Sequence, residues 1–162
     1  MATDYLLVID GIKGESGDDK LSGAIEVLSW GMGASNSGSM ASAGGGGVGK
    51  VQFKDFQFSA WTSTASPPLH TACASGQHFK KATFYGRKQG GQQEVYLTVT
   101  MTGVLVASFK IGDDPQSAQA QLFDVVTLNF AQIEIEYRPQ KADGTLGPAI
   151  KGGYNLKQNK KL

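Results

Sequence analysis

Residues 32–50, MGASNSGSMASAGGGGVGK, constrain the fold of this chain more than any other stretch. Fourteen of the nineteen are Gly, Ala or Ser, and Met32 and Met40 are the large apolar side chains among them. A segment so poor in apolar area cannot offset its own ordering entropy, about 1–2 kcal/mol per residue for the backbone alone. Alternating apolar patterns flank it on both sides, so a long pliable loop joins two strands. Loops beyond about 12–15 residues are uncommon inside a compact domain and tend to be functional or disordered. The expectation is that another surface orders this one, a neighbouring copy of the same chain. Gly38, Ser39, Met40, Gly44, Gly45, Gly46, Gly47 and Lys50 are the expected contact residues.

The remaining composition narrows the class. A length of 162 residues is most simply one domain, spanning 1–162, with 33–49 as its extended loop. A net charge of +1, with Lys and Arg scattered, argues against a dedicated nucleic-acid partner, which calls for a clustered basic face. Twenty-two glycines favour a loop-rich all-β architecture over a helix bundle. One cysteine, Cys73, excludes an internal disulfide framework. The apolar run near the N-terminus lacks a basic flank and is too short for a secretory leader, and no stretch approaches the ~20 apolar residues of a membrane span. The chain is expected to be made in the cytoplasm, without membrane insertion, and to leave the cell, if it does, without a conventional leader.

Along the chain, residues 4–10 alternate as a strand, with Tyr5, Leu7 and Ile9 on one face. The polar stretch 11–23 carries Glu15, Asp18 and Asp19, but their spacing fails the calcium-loop pattern, and a solvated turn is expected. Residues 23–31 read as one strand covered on both sides. In residues 50–61, Val51 and Phe53 have one parity, Phe56 and Phe58 the other. One extra residue near Lys54 and Asp55 would restore the register, which predicts a β-bulge there.

The one short helix is expected within 64–76, with Ser66 capping, Pro67 and Pro68 in the first turn and Gly76 at the left-handed stop. Strands follow at 79–86, 93–109, 122–137 and about 149–157, then a frayed tail at 158–162. Gly103 is a natural bend in the second of these runs, 93–109. Within 122–137 the apolar parity changes between Phe130 and Ile133, which predicts a twist or bulge. About seven or more strands at this spacing suggest a small antiparallel β-barrel, closed or nearly so, or a sandwich.

Several motifs could carry chemistry. GGGGVGK, residues 44–50, fits part of a phosphate-binding loop, but Val51 follows the lysine and a strand follows that, so the required helix N-terminus is missing. His70 and Cys73 share a helix face near His78, which could hold zinc or pair a thiol with a base. They lack a fourth ligand, and a lone Cys among alanines reads better as a small buried hydrophobe. Glu134 and Glu136 project from one strand face about 7 Å apart, within the range of glycosidase carboxylate pairs, and equally as a half-buried strand shows its acids to water. Solvated surface accounts for the basic doublets at 80–81, 87–88 and 160–161. No cofactor or metal site and no catalytic constellation is expected, so the residues point to a binding or assembly protein. A sugar- or other ligand-binding β-sandwich and a hydrolase using Glu134 and Glu136 stay open as alternatives.

The blocks KGESGDDK, EVLSWGM with GGGGVGK, ACASGQHF, VTLNFAQIEIEYRPQKADG and GGYNLKQN, in this order, resemble the haemolysin-coregulated protein (Hcp) family of type VI secretion systems. They cover nearly the whole chain. The spacing ahead of Trp30, Gly31 and Met32 is shorter than in some members. The resemblance implies a small β-barrel with a helix on one side, assembling as hexameric rings that stack into the inner tube of a contractile injector. It implies a sheath, a baseplate and a spike protein as partners, small effectors carried and stabilised in the ring lumen, and export without a signal peptide. Ser29 and Val27 are the expected pore-lining residues.

Overall fold

The computed structural model describes residues 3–38, 51–113, 116 and 121–162. The strands are β1 (Thr3–Ile9), β2 (Ile25–Glu26), β3 (Ser29–Asn36), β4 (Val51–Trp61), β5 (His78–Lys88), β6 (Val95–Asp113), β7 (Leu122–Tyr137), β8 (Ile150–Asn155) and β9 (Lys160–Lys161), with helix α1 (Ser66–Ser75) between β4 and β5. All pairings are antiparallel. The strand order is β2-β1-β5-β6-β7-β4-β3, with β8 on β7 and β9 on β8. This is the expected all-β class, a sheet curled into a barrel.

Among the described residues no ladder closes the barrel: β2 and β3 end the path and do not pair with each other. Where one strand was expected over 23–31, the chain changes partner. The Val27 N–H donates to the Tyr5 carbonyl on β1, and the Leu28 N–H donates to the Ser59 carbonyl on β4. The two edges of the curled sheet are thus bridged by one covalent step.

The parity arguments resolve locally. Gly31 faces Gln57 while Gly33 faces Lys54, so β4 carries one residue more than β3 across this interval, as expected near Lys54 and Asp55. Phe56 and Phe58 thereby reach the core, while Phe53 packs against Phe130 and Tyr154. In β7 the parity change has another cause. Buried positions switch from Phe130 to Ile133 on β7 and from Met101 to Val104 on β6, with the pairing between them unbroken. Both strands turn the barrel corner together at Gly103, whose φ is +65° and where a Cβ would lie 3.1 Å from that of Ala131. A separate register shift lies on β6 between Val106 and Ser108.

The core is one cluster in which Phe56, Phe58, Phe84, Leu7, Met101 and Leu128 are sealed from solvent. Phe84 stacks on Tyr5 at 5.7 Å, packs on Phe56 at 5.3 Å and meets Trp30 at 4.6 Å. Helix α1 packs against β6. Its N-cap is Ala65, not Ser66; Ser66 is its first residue, and its buried hydroxyl donates to the Asp124 carboxylate. Asp124, itself buried, also accepts from Thr62 at 2.9 Å. The buried acid claims the hydroxyl that capping would have used. Gly76 closes the helix at φ +70°, as expected. The C-terminal tail is not frayed: Lys160 and Lys161 pair with Asn155 and Tyr154.

Candidate functional site

Four consecutive strands of the sheet, β6-β7-β4-β3, carry the candidate surface. Residues in register across it run Ser29, Ser59, Val125, Lys110 in one row and Gly31, Gln57, Thr127, Ser108 in the next. Successive side chains alternate between faces, so these rows share the face turned away from the core. That face is rich in hydroxyls and amides: Ser29 and Ser59 are 2.5 Å apart, Ser108 and Thr127 2.6 Å, and Asn129 donates to Asp55 at 3.0 Å. Its two ends are open. Among the described residues no strand pairs with the outer edge of β3, and β5 leaves the outer edge of β6 after Leu105.

On the core side of the same sheet lies an apolar trough of about 520 Å³, lined by Trp30, Met32, Phe53, Ile133, Ile135 and Tyr154. Gly152 on β8 opens onto it, with space where a Cβ would sit. Ile135 stays 38% exposed there. Exposed apolar side chains recur at the other end of the β6–β7 pair, where Ile111 and Leu122 are half exposed.

The expected site residues divide. Ser29 lies on the outward polar face and is exposed, whereas Val27 is buried in the core at 8% exposure, so its side chain lines no outer surface. The side chain keeps the inward parity of Ile25, two residues before it. Gly38 is exposed, and its N–H donates to the Asn36 side chain at 2.8 Å. Ser39, Met40, Gly44, Gly45, Gly46, Gly47 and Lys50 lie outside the described residues, as does the GGGGVGK motif. Gln57, Ser59, Ser108 and Thr127 were not anticipated on this face. Their alternation with buried neighbours was visible, but which strands adjoin was not.

The other candidates stay apart. Glu134 and Glu136 point away from the trough, and Glu136 pairs with Lys151 at 3.8 Å. His70 lies edge-on to Phe109 at 5.8 Å, and Cys73 packs against the core. Among the described residues no three His, Cys, Asp or Glu side chains group to hold a metal. No helix among them is long and apolar enough to cross a membrane.

One expected solvated pair is corrected. Arg87 is buried, and its guanidinium grips Asp18 through two hydrogen bonds of 3.0 and 2.7 Å and reaches Asp4 at 3.4 Å. Asp18 also accepts the Lys20 and Leu21 N–H groups, both at 2.9 Å. The hydrogen bond from Arg87 is the chief reason its carboxyl is held well below the usual carboxylate range. The loop 11–23 is therefore pinned to β5 by charge, where a free turn was expected. Asp18 three residues before Leu21 was the available signal, an Asx turn.

Comparison with known proteins agrees with this architecture. The family model for the type VI secretion system effector Hcp matches residues 6–137. Protein hcp1 of Pseudomonas aeruginosa is 44% identical over 161 residues, which is 98% of each chain. A solved type six secretion system protein superposes with a TM-score of 0.92 at 29% identity, covering 99% of this chain and 100% of that one. Hcp1 from Salmonella typhimurium superposes at 0.81 with 36% identity over the whole of both chains. With a matching curled sheet, side helix and full-length correspondence, this chain belongs to the Hcp family of type VI secretion proteins.

Proposed function

We propose that this chain is a structural subunit of the type VI inner tube, closing as a hexameric ring that stacks with others and carries small effectors in its lumen. The observation that carries this reading is the pair of free edges on β6-β7-β4-β3. The outer edge of β3, SWGMGASN, has no charge and no proline to discourage pairing. Four strands of alternating direction leave β3 and β6 running oppositely, so β6 of a second copy meets β3 antiparallel. The two edges differ, so the contact is heterologous, and a heterologous contact repeated about an axis closes into a ring where the rotation per copy divides a full turn.

The hydroxyl-rich outward face is then the lumen wall, with Ser29 among its lining residues, and it grips cargo by weak hydrogen bonds that release readily. The Gly/Ser-rich segment that follows β3 adds contacts to adjacent copies or rings. Sheath, baseplate and spike are the further partners that a tube of this kind serves, and export runs through that machine.

Light scattering on the eluting protein tests the assembly. A particle of about six times the 17.1 kDa chain, toroidal in negative stain, supports it; a monomer retained on a sugar column supports a ligand-binding sandwich instead. Rings of Ser29→Gln that retain cargo as the parent does would remove Ser29 from the lumen wall.

A further inference from the structure

Residues 14–24 bond to themselves before they touch the barrel. The Gly14 N–H donates to the Gly23 carbonyl at 2.7 Å, the Gly23 N–H to the Ser16 carbonyl at 2.8 Å and the Ser16 N–H to the Ala24 carbonyl at 3.0 Å. A surface loop of this length with its ends joined is a compact unit, an Ω-loop. Gly14 permits the closure, since a Cβ there would lie 2.5 Å from the Ala24 carbonyl oxygen. We infer that this loop is a latched flap, able to open as one piece while the barrel stays folded, and that the fork of Arg87 is its latch.

The loop rests on the outer face of the β1–β5 pair. Tyr5, Leu7 and Phe84 face the core, so Asp4, Leu6 and Arg87 alternate to the other side. Leu6 is buried yet lies outside the central cluster. Ser16, Gly17 and Asp18 of the loop share a recess of about 450 Å³ with Leu6, Arg87 and Glu26. The loop tip thus borders open volume where packing would otherwise hold it. Leu21 is the one large apolar side chain within 14–24, and it is half-buried. With so little apolar contact, polar attachments decide whether the loop stays down.

Those attachments are unequal. The Lys20 ammonium donates to the Gln92 carbonyl at 3.2 Å, and Glu15 accepts the Thr64 N–H at 3.2 Å, but both are exposed and compete with water. The grip of Arg87 on Asp18 is two-pronged and largely shielded. It is also incomplete: the buried Nε of Arg87 has no hydrogen-bond partner among the described residues. Closing the loop therefore costs the desolvation of one unused donor, which opening returns to water.

The two carboxylates at the latch belong to different bodies. Asp18 travels with the loop. Asp4 sits on β1, accepts the Gln89 side-chain amide at 2.5 Å and reaches Arg87 at 3.4 Å. When the loop lifts, Arg87 keeps Asp4 as a partner, so no charge is stranded. The open form bares the guanidinium and widens the recess beside Leu6.

Amide hydrogen exchange of the full chain, read by mass spectrometry of its fragments, tests the latch. In the parent, 14–24 is expected to exchange as one group, faster than β6 and β7 and with little response to low urea, because a small surface opens. Asp18→Asn keeps the shape and the turn but removes the charge that Arg87 grips. It should speed that group about tenfold to a hundredfold, the span that a hydrogen bond to a charged group is worth. Asp4→Asn should change it far less. Arg87→Lys keeps a positive charge without the fork and should release the loop as Asp18→Asn does. The strands β6 and β7 are expected to remain the slowest fragments in every variant. Where Arg87→Lys does not fold, the two carboxylate variants decide the point by themselves. Exchange of 14–24 only in step with β6 and β7 in the parent would overturn the flap. A rate that Asp18→Asn leaves unchanged, or raises no more than Asp4→Asn does, would overturn the latch.

Discussion

Phe84 and Ile135 belong to the same curled sheet but meet different surroundings. Phe84 is ringed by Tyr5, Trp30 and Phe56 and loses all contact with water. Ile135 points into the trough and keeps 38% of its surface wet. The first environment is filled by groups from β1, β3 and β4 that the fold itself brings together. The second is walled on several sides and left open on one. Apolar area buried inside a chain stabilises that chain; apolar area left in a concave trough stabilises it little and remains free for another surface. The contrast separates the part of the barrel that holds the chain together from a part whose apolar surface is left partly wet.

The largest effect should come from emptying the filled side. Phe84→Ala is expected to cost about 3–5 kcal/mol, a large share of the ~5–15 kcal/mol that holds a typical domain together. A shift in the denaturant midpoint at constant slope checks it, and a cost under about 1 kcal/mol would mean that the aromatic cluster collapses around the gap. Next is the charged clamp on that side of the barrel. Asp18 has a folded pKa below its ordinary value of 3.8, so its contribution is present above that pH and is lost as pH falls below it. Arg87→Met should destabilise the protein at neutral pH and flatten the fall of the thermal midpoint below about pH 4. An unchanged acid limb would sever Asp18 from Arg87. The smallest effect is expected in the trough: Ile135→Ser, measured on the dissociated chain, should shift stability by within about 1 kcal/mol. A loss matching Phe84→Ala would make the trough part of the core and erase the distinction.

What could be read from residues alone followed the same division. Side-chain parity reported the extra residue in β4, because burial on one face leaves an alternation that a single insertion must break. The Gly76 helix stop was legible for a similar reason, a backbone requirement that one residue type meets. The partner switch at Val27 and Leu28 was not legible, since a main-chain hydrogen bond passing from Tyr5 to Ser59 leaves no mark on side-chain pattern. Ser66 was misassigned as a cap because Asp124, fifty-eight positions away, competes for its hydroxyl. Arg87 was placed at the surface beside Lys88 because neither Asp18 nor Asp4 is near it in sequence. Of the candidate site, Ser29 was legible and its row mates were not, because strand adjacency is a property of the whole topology.

The step between Val27 and Leu28 has a mechanical consequence. Elsewhere neighbouring strands are zipped by ladders that must part bond after bond. At this seam a single peptide linkage spans the gap, with one hydrogen bond anchored on either bank. Strain across the barrel wall would concentrate there, and the first yielding would cost two bonds. The opening is nonetheless leashed, since two extended residues reach only about 7 Å before the tether is taut. Such a seam lets the wall breathe by a bounded amount and spring back.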